Sequence, residues 1–398
     1  FFFFLFVFFF FFLFFLGLCG FTQMGWSAAS DVYRRPPAAV RDASNMTPEA
    51  LVLKTDYAAL TQSVYCDIPG CTHDSDACPA YLASDFCVGV MAVDGTVYTY
   101  PGELTNVAPT QIYRIDPAAG KTPVAAVPDA LPHHMQLQWC DEYALYGCPL
   151  AASHQPGTLY RWDWRNDTVQ TIPMLADEKI IACEGSRFLT IRIEANEPFP
   201  NFGSTEQEKA ILAHAVYVYA WLDPATGARE KICTRPYADG YFHNYYDGRI
   251  YYTGNFRNAD TPGQQAALLY FDTADGTEKT LLETIPFDTY GIDVCEPFSP
   301  AFAGVPQRYL RVLNVGDAYA DCLLDMETGD VLPAPAVTAE GVRRPALLLA
   351  CTASGQWLTT ANPRDSYDPQ YSLYALWDPA DFLADGQPAA WVTMYATE

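Results

Sequence analysis

The feature that most constrains the fold is a pair of turn motifs that recur in phase along the chain. The first motif is Asp-x-x-x-Gly after a short run of β-branched and aromatic residues, as in Asp116–Gly120 after Gln111–Ile115. Asp accepts backbone hydrogen bonds at the start of such a turn, and Gly adopts the positive φ that other residues disfavour. The motif begins at Asp116, Asp223, Asp272 and Asp325, and Asp163 and Asp378 hold the equivalent places in looser copies that lack the Gly. Along the chain these six Asp residues are separated by 47, 60, 49, 53 and 53 residues.

A second, tighter turn precedes each copy of the first and lies between two further strand-like runs. Its copies are Asp94-Gly95, Glu184-Gly185, Asp247-Gly248 and Ser354-Gly355, with Asp141-Glu142 as a weaker one. Each unit therefore consists of strand, tight turn, strand, variable loop, strand, Asp-x-x-x-Gly turn and strand. This order predicts a four-stranded antiparallel meander.

A meander of this kind can bury both of its faces only against other meanders, and radial packing does so while leaving short, protected edges. The repeat therefore predicts an all-β chain with a single β-propeller of about six four-stranded blades. The units begin near Phe86, Leu137, Ile180, Tyr241, Pro300 and Arg344. A strand within residues 51–60 would complete a blade or make a seventh. The alternative is an all-β sandwich in which the turn residues coincide by chance.

One face of the predicted disc carries the loops between second and third strands and the connections between blades. These segments vary in length, and loops on a rigid scaffold commonly carry binding residues. Aromatic, His and Arg side chains there could stack on and hydrogen-bond a sugar or a peptide. Our candidate ligand-binding residues are His133, His134, Tyr241, His243, Arg257 and Arg364. The alternative is that they are ordinary loop and packing residues, and that His243 in particular is a core histidine.

Three thiols and an imidazole lie within thirteen residues ahead of the first complete blade. The pattern is Cys66-x4-Cys71-x-His73-x4-Cys78. Thiolate and imidazole ligands suit tetrahedral Zn²⁺, and close spacing lets a short loop surround one ion. Because an exported protein meets oxidising surroundings, a disulfide within the cluster is an equal alternative. Reactive thiols are a third.

The charge of the chain excludes one class of partner. The formal net charge is −24, with only 23 Lys and Arg residues in 398. Nucleic-acid binding depends on basic side chains that neutralise phosphates, so we expect no nucleic-acid partner.

The N-terminal region predicts export from the cytoplasm. Residues 1–18 are almost wholly apolar and mostly Phe, and polar residues follow them, as in an export signal. Leu16-Gly17-Leu18-Cys19 resembles a bacterial lipobox, in which Cys19 is lipidated, although Leu18 stands where a small residue is expected. Simple secretion and an uncleaved anchor are the alternatives. We divide the chain into a signal or anchor segment (1–29), a tether (30–50), a Cys/His segment with a closing strand (51–85) and the propeller (86–398).

The stretch from Cys66 to Ala80, followed by blade repeats, resembles a family of exported lipoproteins from gut Clostridia. Members commonly have Leu-Cys, a Pro-containing spacer, Cys-x-His-x4-Cys and Ala ahead of TolB-like or WD40-like propeller blades. Tyr65 stands here in place of the Leu. The resemblance implies an exported, often lipid-anchored propeller, and it implies no settled activity.

Known catalytic motifs are missing from the sequence. It has no G-x-S-x-G elbow, no H-E-x-x-H helix, no sialidase Asp-box and no phosphate-binding Gly loop. We therefore predict a non-catalytic extracytoplasmic propeller, a monomer, that binds a cell-envelope glycan, peptide or protein through its variable-loop face and contacts the membrane only through its N-terminal anchor. The alternatives are a carbohydrate-active hydrolase or lyase, since carboxylates are plentiful, and a cell-envelope scaffold.

Overall fold

In the computed structural model of the chain, the regular secondary structure of the described residues is mostly short antiparallel strands. The structure describes residues 30–35, 50–56, 59–82, 88–93, 95–101, 104, 110–133, 135–140, 144–149, 155–197, 205–237, 242–254, 267–283, 308–312, 322–333, 336–339, 342–345, 347–351, 355–361, 373–384, 386 and 388–392. No helix in these ranges is long and apolar enough to cross a membrane.

Five sheets are four-stranded meanders whose strands lie side by side in chain order. Blade 1 contains β5 (Val88–Val93), β6 (Thr96–Pro101), β7 (Gln111–Asp116) and β8 (Gly120–Ala126). Blade 2 contains β9 (Met135–Cys140), β10 (Ala144–Pro149), β11 (Gly157–Asp163) and β12 (Thr168–Met174). Blade 3 contains β13 (Lys179–Glu184), β14 (Arg187–Glu194), β15 (Val216–Leu222) and β16 (Arg229–Pro236), with helix α1 (Thr205–Leu212) between β14 and β15.

The second half of the chain continues the pattern. Blade 4 contains β17 (Phe242–Tyr246), β18 (Arg249–Gly254), β19 (Ala267–Asp272) and β20 (Thr277–Leu282). Blade 5 has three strands among the described residues, which are β21 (Tyr309–Val312), β22 (Cys322–Asp325) and β23 (Val331–Pro333). A hairpin of β24 (Ala336–Ala339) and β25 (Val342–Pro345) follows it. Blade 6 contains β26 (Leu347–Cys351), β27 (Trp357–Ala361), β28 (Leu373–Trp377) and β29 (Ala390–Val392), with helix α2 (Pro379–Leu383) between β28 and β29.

An additional N-terminal sheet precedes the blades. It contains β1 (Ser30–Arg35), β2 (Ala50–Asp56), β3 (Thr61–Val64) and β4 (Tyr81–Leu82). β1 lies within the segment that the sequence predicts to be a tether, and β2 lies where the sequence predicts an additional strand. We call β1–β4 the N-terminal sheet.

The buried side chains join these sheets one after another in a circle. Separate apolar clusters connect blade 1 to blade 2, blade 2 to blade 3, blade 3 to blade 4 and blade 4 to blade 5. A further cluster in blade 6 packs against Tyr309 and Leu332 of blade 5. The last cluster contains residues of the N-terminal sheet, Val90, Val97 and Ile115 of blade 1 and Leu376 of blade 6. This arrangement confirms the propeller, with the N-terminal sheet as a seventh member between blade 6 and blade 1.

The predicted turn chemistry is present in the blades. Four of the Asp-x-x-x-Gly turns share one geometry, in which the Asp Oδ1 accepts the amide of the second residue after it at 2.8–3.0 Å and the Gly has a positive φ. They begin at Asp116, Asp223, Asp272 and Asp325. Asp378 differs from the prediction, because the chain after it enters α2 instead of a hairpin turn.

The first strand of a blade carries a β-bulge in blades 2, 3, 4 and 6. In each case the pairing register with the second strand skips one residue; the skipped residues are Gln138, Ile181, His243 and Leu349. A bulge bends a strand and increases its twist locally. The bulge therefore bends the first strand in the same way in these four blades.

Candidate metal centre

The Cys/His cluster lies on a loop that interrupts one strand of the N-terminal sheet. β3 pairs with β2 at Leu53–Asp56, and β4 continues the same antiparallel track at Ala50 and Leu51. Val52 spans the gap, because its N–H donates to Ala80 O at 2.8 Å and its carbonyl accepts from Tyr65 N at 2.9 Å. Both ends of the loop formed by residues 65–80, which we call the metal loop, therefore meet at one residue of β2.

Local turns within the metal loop bring the cluster residues together. Ile68-Pro69-Gly70-Cys71 closes a turn in which Cys71 N donates to Ile68 O at 3.2 Å. Pro is preorganised for the second position of such a turn, and Gly70, at φ +73°, supplies the positive φ of the third. The turn returns the chain so that Cys71 lies beside Cys66.

The four side chains form a set with the composition of a structural zinc site. The thiols of Cys66, Cys71 and Cys78 and one ring nitrogen of His73 all lie within 4.8 Å of one another. His73 Nδ1 is 3.3 Å from Cys78 Sγ. Zinc bonds of about 2.3 Å to sulfur and about 2.0–2.1 Å to nitrogen place tetrahedral ligand atoms roughly 3.5–3.8 Å apart, so small shifts of these side chains would complete the geometry.

The three cysteines of the cluster are free thiols. Of the two interpretations that the sequence left equal, this arrangement accommodates a metal ion, and it contains no disulfide among these three residues. Because the thiols are three in number, a disulfide would leave one of them unpaired.

Burial favours the protonated form of Cys66 and of Cys78. It raises the pKa of Cys66, and it raises the pKa of Cys78, which is 1% exposed, to about 12. A metal ion binds the thiolate form, so binding at this site must release protons. Cys78 also belongs to the apolar cluster that joins the N-terminal sheet to blades 1 and 6, and Cys66 and Cys71 pack against that cluster.

The metal loop also contacts the Asp116–Gly120 turn of blade 1. Asp67 N donates to Pro117 O at 2.7 Å. The Lys121 ammonium donates to Tyr81 O at 2.8 Å and to Asp76 Oδ1 at 2.9 Å. The sequence analysis missed Lys121 and Val52, because these contacts join positions that are far apart in sequence and leave no motif.

Most of the candidate ligand-binding residues lie outside the described residues. His133 is exposed, in the connection between blades 1 and 2. His243 is the bulged residue of β17, and its side chain lies outside the described part. His134, Tyr241, Arg257 and Arg364 lie outside the described residues, as does Cys19. Their role in binding therefore stays a prediction.

No protein-family model matches the chain. No curated protein matches it either. Among solved structures, the β-propeller domain of the Trilobed protease from Pyrococcus furiosus is similar, with 9% identity and a TM-score of 0.50 over 90% of this chain and 94% of that one. An acylaminoacyl peptidase from Pyrococcus horikoshii has 12% identity and a TM-score of 0.48 over 88% of this chain and 49% of that one. TolB from Acinetobacter baumannii has 12% identity and a TM-score of 0.36 over 90% of this chain and 78% of that one. At these identities the first similarity supports the fold alone, and the chain is a β-propeller protein.

Proposed function

We propose that the chain is a non-catalytic, extracytoplasmic propeller that binds a ligand or a protein partner through its variable-loop face, and that its Cys/His cluster holds a structural zinc ion. The observation that carries the zinc part of this proposal is that Cys66, Cys71, His73 and Cys78 bring together four ligand atoms. Structural zinc sites have four protein ligands, whereas catalytic sites keep a position for water or substrate. The cluster therefore supports a role in holding the fold together.

Zinc content tests the metal part of the proposal. Full-length protein purified without chelator should contain about one zinc ion per chain by elemental analysis, since one four-ligand set binds one ion. Cys71→Ser should lose the zinc, and Cys183→Ser, which changes an exposed thiol outside the cluster, should keep it. Protein without stoichiometric metal, and with only one free thiol among Cys66, Cys71 and Cys78, would favour the disulfide instead.

The shape of the blades supports the location of the binding surface. In blades 1 to 4 the 1–2 and 3–4 strand connections are short, as in β13–β14 and β19–β20, whereas the 2–3 connections are longer and vary, from residues 150–156 in blade 2 to residues 195–215 in blade 3. The longer connections share one edge of the meanders. Binding residues in a variable surface of this kind are free to change while the scaffold stays constant.

A binding screen tests the ligand-binding part. The purified protein should bind at least one member of a panel of cell-envelope glycans and peptides, and Arg257→Ala or Arg364→Ala should weaken that binding. Turnover of a chromogenic glycoside without binding in the screen would favour the carbohydrate-active alternative.

The extracytoplasmic location has its own test. When the full sequence is expressed in a bacterial host, we expect the protein in the membrane fraction with a lipid on Cys19, and Cys19→Ala should release it from the membrane. Recovery of the unmodified chain in the cytoplasm would contradict this part of the proposal.

A further inference from the structure

We infer that the metal centre is a clasp that fastens the N-terminal sheet to blade 1, with Lys121 as the positioning residue that joins the two, so that metal occupancy controls closure of the circle of blades. This inference rests on the proposed zinc site and adds a regulated structural role to it.

The position of the N-terminal sheet makes closure depend on it. One buried cluster contains Leu51, Val52 and Leu53 of β2 together with residues of blades 1 and 6. The other clusters join consecutive blades from 1 to 6. Loosening the N-terminal sheet therefore separates the first blade from the last and leaves the other interfaces in place.

Few apolar side chains hold the middle of the metal loop in place. From residue 67 to residue 77, every residue is exposed except Ile68, Cys71 and His73, and the last two are candidate ligands. An exposed loop with few apolar contacts is stable only while other bonds restrain it. Coordination would supply four such bonds and would tie the two ends of the loop, at Cys66 and Cys78, to its middle.

The contacts with blade 1 come from residues next to the ligands. Asp67, whose amide donates to Pro117 O, follows Cys66 directly, and Asp76, which accepts from Lys121, lies two residues before Cys78. Fixing the ligands therefore fixes these contacts as well. Loss of the metal would release both at once.

Lys121 binds the N-terminal sheet mainly through its hydrogen bond to the carbonyl oxygen of Tyr81. Its side chain is 15% exposed, whereas the Asp76 carboxylate is 79% exposed. An ion pair with so exposed a partner is screened by water and salt. The hydrogen bond from the Lys121 ammonium to Tyr81 O is more sheltered, and Tyr81 pairs directly with Leu51 of β2. Lys121 therefore joins blade 1 to the strand that follows the metal loop.

Hydrogen exchange on the full chain tests the clasp. Exchange is measured by mass spectrometry with zinc bound, after removal of zinc by a chelator and after zinc is restored. Removal should speed exchange in peptides that cover residues 61–82 and 111–126 by at least about fivefold, the lower end of typical coupling between sites. Peptides from blades 3 and 4 should not change, and restored zinc should reverse the effect.

Two variants distinguish loss of the Lys121 contact from a general effect of replacing a lysine on the stability of the fold. Lys121→Met keeps the aliphatic stem and removes the ammonium, and Lys279→Met makes the same change on the fourth strand of blade 4, where the lysine pairs with Asp275 of its own blade. With zinc bound, Lys121→Met should show fast exchange in residues 111–126, and Lys279→Met should not. Coupling between two sites is reciprocal. If zinc slows opening of the contact between Lys121 and the N-terminal sheet by some factor, Lys121→Met should weaken zinc binding by the same factor.

The outcomes distinguish the clasp from the zinc site itself. Protein that binds no zinc would overturn the proposed metal site. Protein that binds zinc but exchanges residues 111–126 at the same rate with and without it would overturn the clasp and leave the zinc site intact. Equal effects of Lys121→Met and Lys279→Met would also overturn the role of Lys121.

Discussion

Glu178 forms a sheltered ion pair between blade 2 and blade 3. Its side chain is 1% exposed, and the Arg229 guanidinium donates to it from Nε at 2.9 Å and from Nη2 at 2.6 Å. Leu175 N and Thr190 Oγ1 donate to the same carboxylate. Arg229 also donates to Pro173 O at the outer strand of blade 2. The pair therefore connects the fourth strand of blade 3 to the fourth strand of blade 2.

Arg229→Met should destabilise the protein strongly, because it leaves the Glu178 carboxylate buried with no opposite charge. We expect a loss of about 3 kcal/mol in the free energy of unfolding, measured by denaturant titration, at the lower end of the range for broken buried pairs since Arg229 is 21% exposed. The control is Arg192→Met, whose partner Glu194 is 53% exposed and whose loss should cost at most about 1 kcal/mol. Equal losses in the two variants would contradict this account.

Asp325 makes stability depend on pH in the acid range. Burial raises the pKa of Asp325, but two hydrogen bonds from the Arg308 guanidinium and one from Glu327 N outweigh burial and hold the pKa below its usual value. The stabilisation is therefore complete above the unfolded-state pKa of about 3.9 and is lost as the pH falls through the lower folded-state pKa.

The pH dependence predicts how an Arg308 variant behaves. Thermal unfolding of Arg308→Met should occur at a lower temperature than that of the unaltered protein at pH 7, and the difference should shrink below about pH 4 as Asp325 becomes protonated. A difference that stays constant down to about pH 2 would show that the Arg308 charge does not act through Asp325.

At the scale of elements, the turn glycines differ in what surrounds them. Gly329 and Gly276 occupy the same place in the Asp-x-x-x-Gly turns of blades 5 and 4, with φ of +79° and +69°. A Cβ at Gly329 would lie 3.1 Å from Leu281 O of β20, whereas a Cβ at Gly276 would meet nothing within 4 Å. The Gly329 turn is therefore packed against the neighbouring blade as well as held in a left-handed conformation.

Alanine substitutions separate these two requirements. Gly276→Ala should cost about 1–2 kcal/mol for the left-handed backbone alone. Gly329→Ala should cost about 1–3 kcal/mol more, because the methyl group crowds a backbone oxygen between blades. Chemical denaturation of both variants measures the difference. Equal costs would show that the contact with Leu281 relaxes freely.

The elements that the sequence predicted well are those set by local chemistry. Asp223 and Gly227 define a turn through a hydrogen bond and a positive φ within five residues, so their meaning is readable from the chain. For the metal loop, the sequence predicted only the four candidate ligands and not the position of the loop in the fold. That it interrupts a strand depends on the pairing of Leu51 with Tyr81 and of Leu53 with Val64, and such long-range pairing leaves no local signal.

At the scale of the whole molecule, the chain carries far more acid than base. It has 47 Asp and Glu residues against 23 Lys and Arg residues, which gives a formal net charge of −24. Like charges on a compact surface repel one another and destabilise the folded state. The surface ion pairs are individually weak and do not offset this excess.

The temperature of unfolding should therefore rise when salt is added at low ionic strength. Raising the salt concentration from about 10 mM to about 150 mM shortens the screening length from roughly 30 Å to roughly 8 Å, and calorimetry at pH 7 measures the shift. The same series at about pH 4, where many carboxylates are protonated, should give a smaller rise. A fall in the unfolding temperature at pH 7 would show that attractive pairs dominate the surface.

The sequence also indicated how many blades to expect but not how the circle closes. Phase and turn spacing predict about six blades, because each blade repeats the same local pattern. Leu376 belongs to the same buried cluster as Leu53, more than three hundred positions earlier in the chain. The spacing of the repeats does not predict a contact between residues so far apart. The same limit applies to Lys121, whose partner Tyr81 O lies in the N-terminal sheet.

The way the metal loop leaves and rejoins the sheet has a consequence for protein engineering. Tyr65 and Ala80 both form backbone hydrogen bonds with Val52. β3 and β4, on either side of the loop, therefore keep the same register against β2. A segment whose ends are this close can be exchanged without shifting the register of the two strands that flank it. Val52 thus marks a graft point at which other metal-binding or recognition loops can be transplanted into a propeller, and from which this loop can be moved to another scaffold.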